Sequence, residues 1–150
     1  MDFQPESSTP FPGYLVDGGR AYGSRGNGYT YGWNEDNRHA MRDRDEAISP
    51  DQRYDTIAYM MKRPNRNGSW EIEVPNGQYT VRLVAGDSLE TDSDYQITLE
   101  GVLALTGVPS DTQRFFETTT TVTVADGRLT IGNGKDADNN RICFVEITGG

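Results

Sequence analysis

Residues 69–87 constrain the fold of this chain more than any other stretch. Apolar and polar side chains alternate over residues 70–74, and a second alternation over residues 79–83 follows the turn sequence Pro75-Asn76-Gly77. Side chains two residues apart in a strand share a face, so each alternation predicts a strand with one buried face. Asn-Gly favours a tight turn, and we therefore predict a β-hairpin. Its second strand delivers Asp87 to a loop at the end of a sheet, where binding residues are common.

The remainder of the chain continues this pattern of short strands. Ala125-Asp126-Gly127 separates two β-rich segments and predicts a second hairpin. The 17 glycines and a hydrophobic fraction of 34% fit many turns and short strands, and long helical periodicity is absent. We predict an all-β protein of about eight strands, folded as a single jelly-roll-like antiparallel β-sandwich, with residues 1–150 forming one domain.

The apolar faces of these strands supply the predicted core. The single cysteine, Cys143, has no partner for an internal disulfide and lies in the apolar segment 142–147, so we predict a structural thiol. The predicted core residues are Trp70, Ile72, Val81, Leu83, Ile97, Leu99, Val122, Ile131, Phe144 and Val145.

The charge balance argues against two classes of partner. With 23 acidic and 14 basic side chains the net charge is −9, which repels nucleic acid and anionic membranes. No apolar run is long enough to span a membrane.

Residues 1–66 are nearly neutral in net charge and contain a cluster of six arginines over residues 20–53. These arginines either hold carboxylate or sulfate groups of a ligand or, as we favour, form local ion pairs. These arginines are Arg20, Arg25, Arg38, Arg42, Arg44 and Arg53.

A long glycine-rich connection over residues 17–50 contains a cluster of aromatic residues. Connections of this length inside compact domains are commonly functional, and disordered segments are poor in aromatics. A sugar ring has an apolar C–H face and a belt of hydroxyls, so a sugar site needs flat aromatics beside planar polar groups. Residues 28–34 combine both, and we predict that Tyr29, Tyr31, Trp33 and Asn34 together bind a sugar. For each ring taken singly, and for Trp33 especially, a structural role in the core is the favoured alternative.

Signals for catalysis and for metal binding are weaker. The only histidine, His39, lies in a polar segment, so a nucleophilic triad is not predicted. Glu71 and Glu73 share a strand face and could form the carboxylate pair of a glycoside hydrolase, but their alternation with apolar residues favours a solvated face. Acidic residues in segments 87–94 and 136–140 offer oxygen ligands without EF-hand spacing. A structural calcium ion therefore stands as an alternative to solvated loop charge.

Several segments, taken in order, resemble malectin-like, galactose-binding-like carbohydrate-binding modules, which occur beside catalytic domains in secreted polysaccharide-degrading enzymes. The resemblance covers nearly the whole chain. It rests on Asp2-Phe3-Gln4, Tyr22-Gly23 with Tyr31-Gly32-Trp33-Asn34, Arg53-Tyr54, residues 70–87, and Asp138-Asn139-Asn140-Arg141-Ile142-Cys143.

The resemblance implies a galactose-binding-like sandwich that binds a polysaccharide or oligosaccharide without catalysis, at the loop end. It implicates Arg53, Tyr54 and Asp138 beside the aromatic segment, and we add Asn139; Asp87 stands where malectin has an aromatic residue. It further implies an extracellular or periplasmic location and covalently linked catalytic domains. The alternatives are a small β-sandwich polysaccharide lyase or glycoside hydrolase, and a structural protein-interaction module.

Overall fold

Two β-sheets packed face to face form the molecule, as seen in a computed structural model that describes residues 1–150. The predicted all-β sandwich is confirmed. No helix has the length and hydropathy needed to cross a bilayer. The strands are β1 (Asp2–Phe3), β2 (Val16–Asp17), β3 (Gly23–Ser24), β4 (Thr30–Trp33), β5 (Met41–Asp43), β6 (Thr56–Tyr59), β7 (Trp70–Glu73), β8 (Gly77–Gly86), β9 (Tyr95–Leu99), β10 (Val102–Gly107), β11 (Phe115–Val124), β12 (Arg128–Asn133) and β13 (Arg141–Gly149), with a 3-10 turn (Arg38–Ala40) and a helical turn α1 (Gln52–Asp55).

The strands divide into a seven-stranded sheet, here sheet 1, and a six-stranded sheet, here sheet 2. Sheet 1 has the order β11-β8-β13-β1-β2, and β6 joins it by pairing with β13 and with β5. Sheet 2 has the order β10-β9-β12-β7-β4-β3. Every pairing is antiparallel except that of β1 with β2.

Both predicted hairpins are wrong, because each connection carries the chain from one sheet to the other. Strand β7 pairs with β4 and β12 in sheet 2, whereas β8 pairs with β11 and β13 in sheet 1. The second connection likewise joins β11 to β12 across the sandwich. The two connections brace each other, since Val74 N donates to Gly127 O (3.0 Å) and Gly127 N donates to Asn76 Oδ1 (2.8 Å). Alternating apolar residues fit face-to-face packing as well as side-by-side pairing.

A tight hairpin does occur between β9 and β10. Its two central residues, Glu100 and Gly101, have φ values of 51° and 75°. A two-residue hairpin turn of this type requires positive φ at both positions, which Gly adopts without strain and Glu rarely does. Glu-Gly is therefore a weaker sequence signal for this turn than Asn-Gly or Asp-Gly.

The core between the sheets contains 21 buried residues and includes eight of the ten predicted ones. Val122 is only partly buried. Phe144 is buried on the other face of sheet 1. A register shift between Ile142 and Phe144 interrupts the alternation of β13 there, so that Cys143 and Phe144 both lie on that face. Cys143 is fully buried beside Phe144, and burial raises the pKa of its thiol well above the ordinary value. The structural thiol is confirmed.

Much of the glycine-rich connection is regular structure instead of a loop. Strand β4 pairs with β7 inside sheet 2, and its Tyr31 and Trp33 side chains are buried. The indole N–H groups of Trp33 and Trp70 donate to the two carboxylate oxygens of buried Asp17, at 2.9 and 2.8 Å. A buried carboxylate needs such donors, so Asp17 joins β2 to the core of sheet 2.

Candidate functional site

An open cavity of about 550 Å³ lies at one end of the sandwich, which we call the loop end. Three connections meet there: residues 60–69 after β6, residues 87–94 after β8, and residues 134–140 before β13. They converge because β6 and β8 both pair with β13 in sheet 1. The lining side chains are Met61, Arg63, Arg66, Asp92, Asp138 and Asn139.

The 60–69 connection is held in place by asparagine side chains. Asn34 Oδ1 accepts from Asn65 Nδ2 (3.0 Å) and from Ser69 N (3.2 Å), and Asn34 Nδ2 donates to Asn67 O (3.1 Å). Asn133 Nδ2 donates to Asn67 Oδ1 at 3.1 Å. Asn34, predicted as a sugar ligand, therefore supports the loop that carries two lining arginines and does not itself line the cavity.

The 134–140 connection presents Asp138 and Asn139 to the cavity. Asp138 is fixed through its backbone, which forms two hydrogen bonds with the backbone of Asp94 (2.9 and 3.0 Å). Its carboxylate is exposed and takes part in no hydrogen bond or ion pair with the protein. Asn139 has φ of 54°, a left-handed conformation that Asn tolerates, and its amide donates to Asp92 O at 3.3 Å. The Asp138 carboxylate is thus free to contact a ligand.

A buried ion network lies directly beneath the cavity. Asp87 is fully buried and accepts a bidentate pair of hydrogen bonds from Arg44 (3.0 and 2.8 Å). Arg141, also buried, contacts Asp87 at 3.3 Å. Burial would lower the pKa of both guanidinium groups, but the carboxylates around them outweigh it and raise those pKa values. The prediction that Asp87 binds a ligand is therefore wrong, because both of its oxygens are committed to the scaffold.

Arg141 also fixes the acidic wall of the cavity. Its Nη2 donates to Asp92 Oδ1 (2.5 Å) and to Glu90 Oε2 (2.9 Å), and its Nη1 donates to Ser93 Oγ (2.9 Å). The hydrogen bond from Arg141 lowers the pKa of Asp92 below its ordinary value. Asp92 is therefore held as a carboxylate at the cavity rim.

The structure places Arg53 and Tyr54 elsewhere, on the outer face of sheet 1. The Arg53 guanidinium lies 4.6 and 4.7 Å from the ring centroids of Phe11 and Phe144, and it donates to both carboxylate oxygens of Asp51 (3.0 and 2.8 Å). Tyr54 packs edge-on against Phe144 at a centroid distance of 5.2 Å. Both side chains are occupied by the scaffold and do not reach the cavity.

The predicted aromatic residues do not reach the cavity either. Tyr31 and Trp33 are buried in the core, so neither ring can stack on a sugar. Tyr29 is half exposed, but it lines a separate cavity of about 370 Å³ with Val74 and Pro75, at the opposite end of the sandwich. Of the nine residues predicted for the site, only Asp138 and Asn139 line the loop-end cavity.

Ion pairs account for most of the N-terminal arginines, as favoured from sequence. Arg20 pairs with Glu6 and Arg38 with Asp36, in addition to the Arg44 and Arg53 pairs. Arg25 and Arg42 donate to backbone carbonyls instead.

Two of the acidic residues considered for catalysis or for calcium, Glu71 and Asp87, are bound by other side chains. Glu71 accepts from Thr130 Oγ1 (3.0 Å) on the outer face of sheet 2, away from the cavity. The carboxylates of Asp43, Asp45 and Asp55 lie within 4.8 Å of one another, but Asp55 already accepts three hydrogen bonds. Asp87 is committed to arginines, which removes it from the proposed calcium ligands. A structural calcium ion stays a prediction.

The predicted sugar ligands omit four of the six lining residues: Met61, Arg63, Arg66 and Asp92, the last of which lies in a segment considered for calcium. A signal was present, because no acidic residue occurs between Asp55 and Glu71 although that segment contains three basic ones. Basic side chains without acidic neighbours in sequence are available for other partners.

Comparison with known proteins supports the fold. No protein-family model matches this sequence, and no curated protein does. The crystal structure of protein YxiM from Bacillus subtilis is similar, with a TM-score of 0.66 at 23% sequence identity. The match covers 98% of this chain and 38% of the YxiM chain, so this chain spans well under half the length of that structure.

Proposed function

We propose that this protein is a non-catalytic carbohydrate-binding module whose ligand occupies the loop-end cavity. The observation that carries the proposal is the composition of the cavity wall. Five of its six lining side chains have hydrogen-bonding heads, and Met61 adds an apolar surface. A sugar needs donors and acceptors for its hydroxyls and an apolar contact for its C–H face, and Met adapts to irregular surfaces.

The position of Asp138 supports the proposal. It lies three residues before β13, the last strand, where the resemblance to malectin-like modules implies a ligand-binding aspartate. Its carboxylate is unpaired within the protein, so it can accept hydrogen bonds from sugar hydroxyls. Hydrogen bonds to charged groups contribute about 1.5–3 kcal/mol each.

The electrostatics of the wall favour binding over acid–base catalysis. A general acid or base works best with a pKa near the operating pH. The pKa of Asp92 is instead lowered by Arg141, which stabilises the carboxylate and weakens it as a base. The lowered pKa therefore argues against Asp92 as the acid or base of the lyase and hydrolase alternatives.

A matched pair of variants tests the proposal. We expect Asp138→Ala to weaken binding in affinity electrophoresis on a panel of plant and algal polysaccharides by about tenfold or more. Asp136→Ala, in the same connection and with the same loss of charge, is the control because Asp136 does not line the cavity. Equal effects of the two variants, or release of reducing ends or unsaturated products by the wild type, would contradict the proposal. Failure of the wild type to bind any glycan would leave the protein-interaction alternative.

A further inference from the structure

Most of the basic side chains form ion pairs or hydrogen bonds within the protein, but four do not. Of its 14 lysines and arginines, eight form an ion pair with a carboxylate. Arg25 and Arg42 donate to backbone carbonyls. The remaining four, which form neither an ion pair nor a hydrogen bond within the protein, are Lys62, Arg63, Arg66 and Lys135.

All four uncommitted cations lie on the two connections that flank the loop-end cavity. Arg63 and Arg66 line it directly. Lys62 precedes them, with its ammonium 5.2 Å from the Tyr59 ring centroid. Lys135 lies on the 134–140 connection, two residues after Asn133, the last residue of β12, whose amide donates to Asn67 Oδ1 on the 60–69 connection.

This concentration of free positive charge stands out in a protein of net charge −9. The chain has 23 acidic side chains, and most exposed arginines outside the cavity form an ion pair with one of them. Arg63 and Arg66, at the cavity, do not. Of the two carboxylates that line the cavity, Asp92 is already held by Arg141. A guanidinium presents a planar fork of donors that matches a carboxylate or a sulfate group.

We propose, on the basis of the carbohydrate-binding function proposed above, that the ligand is an acidic polysaccharide whose carboxylate or sulfate group is bound by Arg63 and Arg66. The free carboxylate of Asp138 repels an anionic group and accepts from hydroxyls, so it sets the orientation of the sugar. The anionic group faces the 60–69 connection, and the hydroxyls face Asp138 and Asn139. The net charge of −9 repels any polyanion at long range, so binding of the anionic group rests on the local contacts of Arg63 and Arg66.

The experiment compares polysaccharides that differ in charge. Isothermal titration is carried out with polygalacturonate, with its fully methyl-esterified form, with a sulfated galactan and with a neutral galactan. We expect at least one of the two anionic polymers to bind about tenfold or more tighter than its neutral counterpart, with an affinity that falls as salt is raised. The polygalacturonate pair reports on carboxylate recognition, and the galactan pair reports on sulfate recognition.

Two double variants that lose the same charge show whether the preference for anionic polymers depends on the cavity arginines. Arg63→Gln/Arg66→Gln should abolish the preference for the anionic polymer. Arg20→Gln/Arg38→Gln removes the same charge from two exposed ion pairs outside the cavity and should retain the preference. Thermal unfolding of both double variants verifies that they are folded.

Three outcomes overturn the inference. Equal affinity for charged and neutral polymers, with the Arg63→Gln/Arg66→Gln variant unchanged, rejects acidic ligands and leaves the proposed carbohydrate binding intact. An equal loss of preference in both double variants assigns the effect to overall charge, not to the cavity. No binding to any polymer by the wild type rejects the proposed function together with the inference.

Discussion

Arg141 holds Asp92 at a distance of 2.5 Å, and so joins a buried side chain on the last strand to the rim of an open cavity. The same guanidinium contacts the fully buried Asp87. Because Asp87 is also bound by Arg44, one network fixes both the end of β8 and the acidic wall of the cavity. The shape of this cavity therefore depends on the scaffold beneath it.

Replacing Arg141 should destabilise the protein strongly. Arg141→Met removes one of two cations that neutralise buried Asp87, and breaking a buried pair in this way costs about 3–5 kcal/mol. Urea denaturation followed by tryptophan fluorescence measures the free energy of unfolding. Arg38→Met, which breaks a pair exposed to solvent, is the control and should change stability little. Equal stability of the two variants would show that the network does not hold the loop end.

Asn34 should act on the ligand through the 60–69 connection. Asn34→Ala removes three hydrogen bonds to that connection, so we expect a loss of about 1–2 kcal/mol in stability and weaker glycan binding, although Asn34 does not line the cavity. Asn27→Ala is the control, because Asn27 supports Tyr29 at the opposite end. Titration calorimetry should show reduced affinity for Asn34→Ala alone. Unchanged affinity would mean that the connection holds its position without Asn34.

Asp17 should contribute to stability through the two indoles that it joins. Asp17→Asn leaves one side-chain acceptor oxygen in place of two and turns an amide N–H₂ group toward an indole donor. Leaving one buried donor unpaired costs about 1–3 kcal/mol. We expect lower stability in urea denaturation and altered tryptophan emission in the folded state. An unchanged emission spectrum and midpoint would contradict the proposed role of this carboxylate.

Asp2 should make stability depend on pH. Burial raises the pKa of its carboxyl to about 7 from an ordinary value of 3.8. The folded protein then retains a proton that the unfolded chain releases, so this group lowers stability progressively as pH rises from about 4 to 7. Asp2→Asn removes that dependence. Its advantage over the wild type should be small below pH 4 and reach about 2–4 kcal/mol at pH 7.

Denaturation of both proteins between pH 4 and pH 8, in the presence of a chelator, measures the Asp2 effect. The chelator separates proton release from binding of any cation. Thr56, which donates to Asp2 Oδ1 at 3.3 Å, retains an acceptor in the asparagine variant. Stability curves that run parallel across this range would show that Asp2 is ionised in the folded protein at neutral pH.

Local pattern was sufficient for the fold class and for most of the core. Alternation along a strand decides which side chains are buried, whatever strand lies beside it, so Trp70, Leu83 and Ile131 were identified without knowledge of their neighbours. Local pattern does not decide which strand pairs with which. Residues 74–76 join two sheets, and only the competition among all strands for edges and faces decided that β7 pairs with β4 and β12.

The same division applies to the candidate site. The sequence by itself determined that Asp138 and Asn139 precede a final buried strand, and this order brings them to the loop end. Tertiary structure decided the rest, because side chains compete for partners that are distant in the chain. The Trp33 indole donates to Asp17, and Asp87 pairs with Arg44 and Arg141, so Trp33 and Asp87 serve the scaffold. Arg63 and Arg66 pair with no carboxylate and line the cavity.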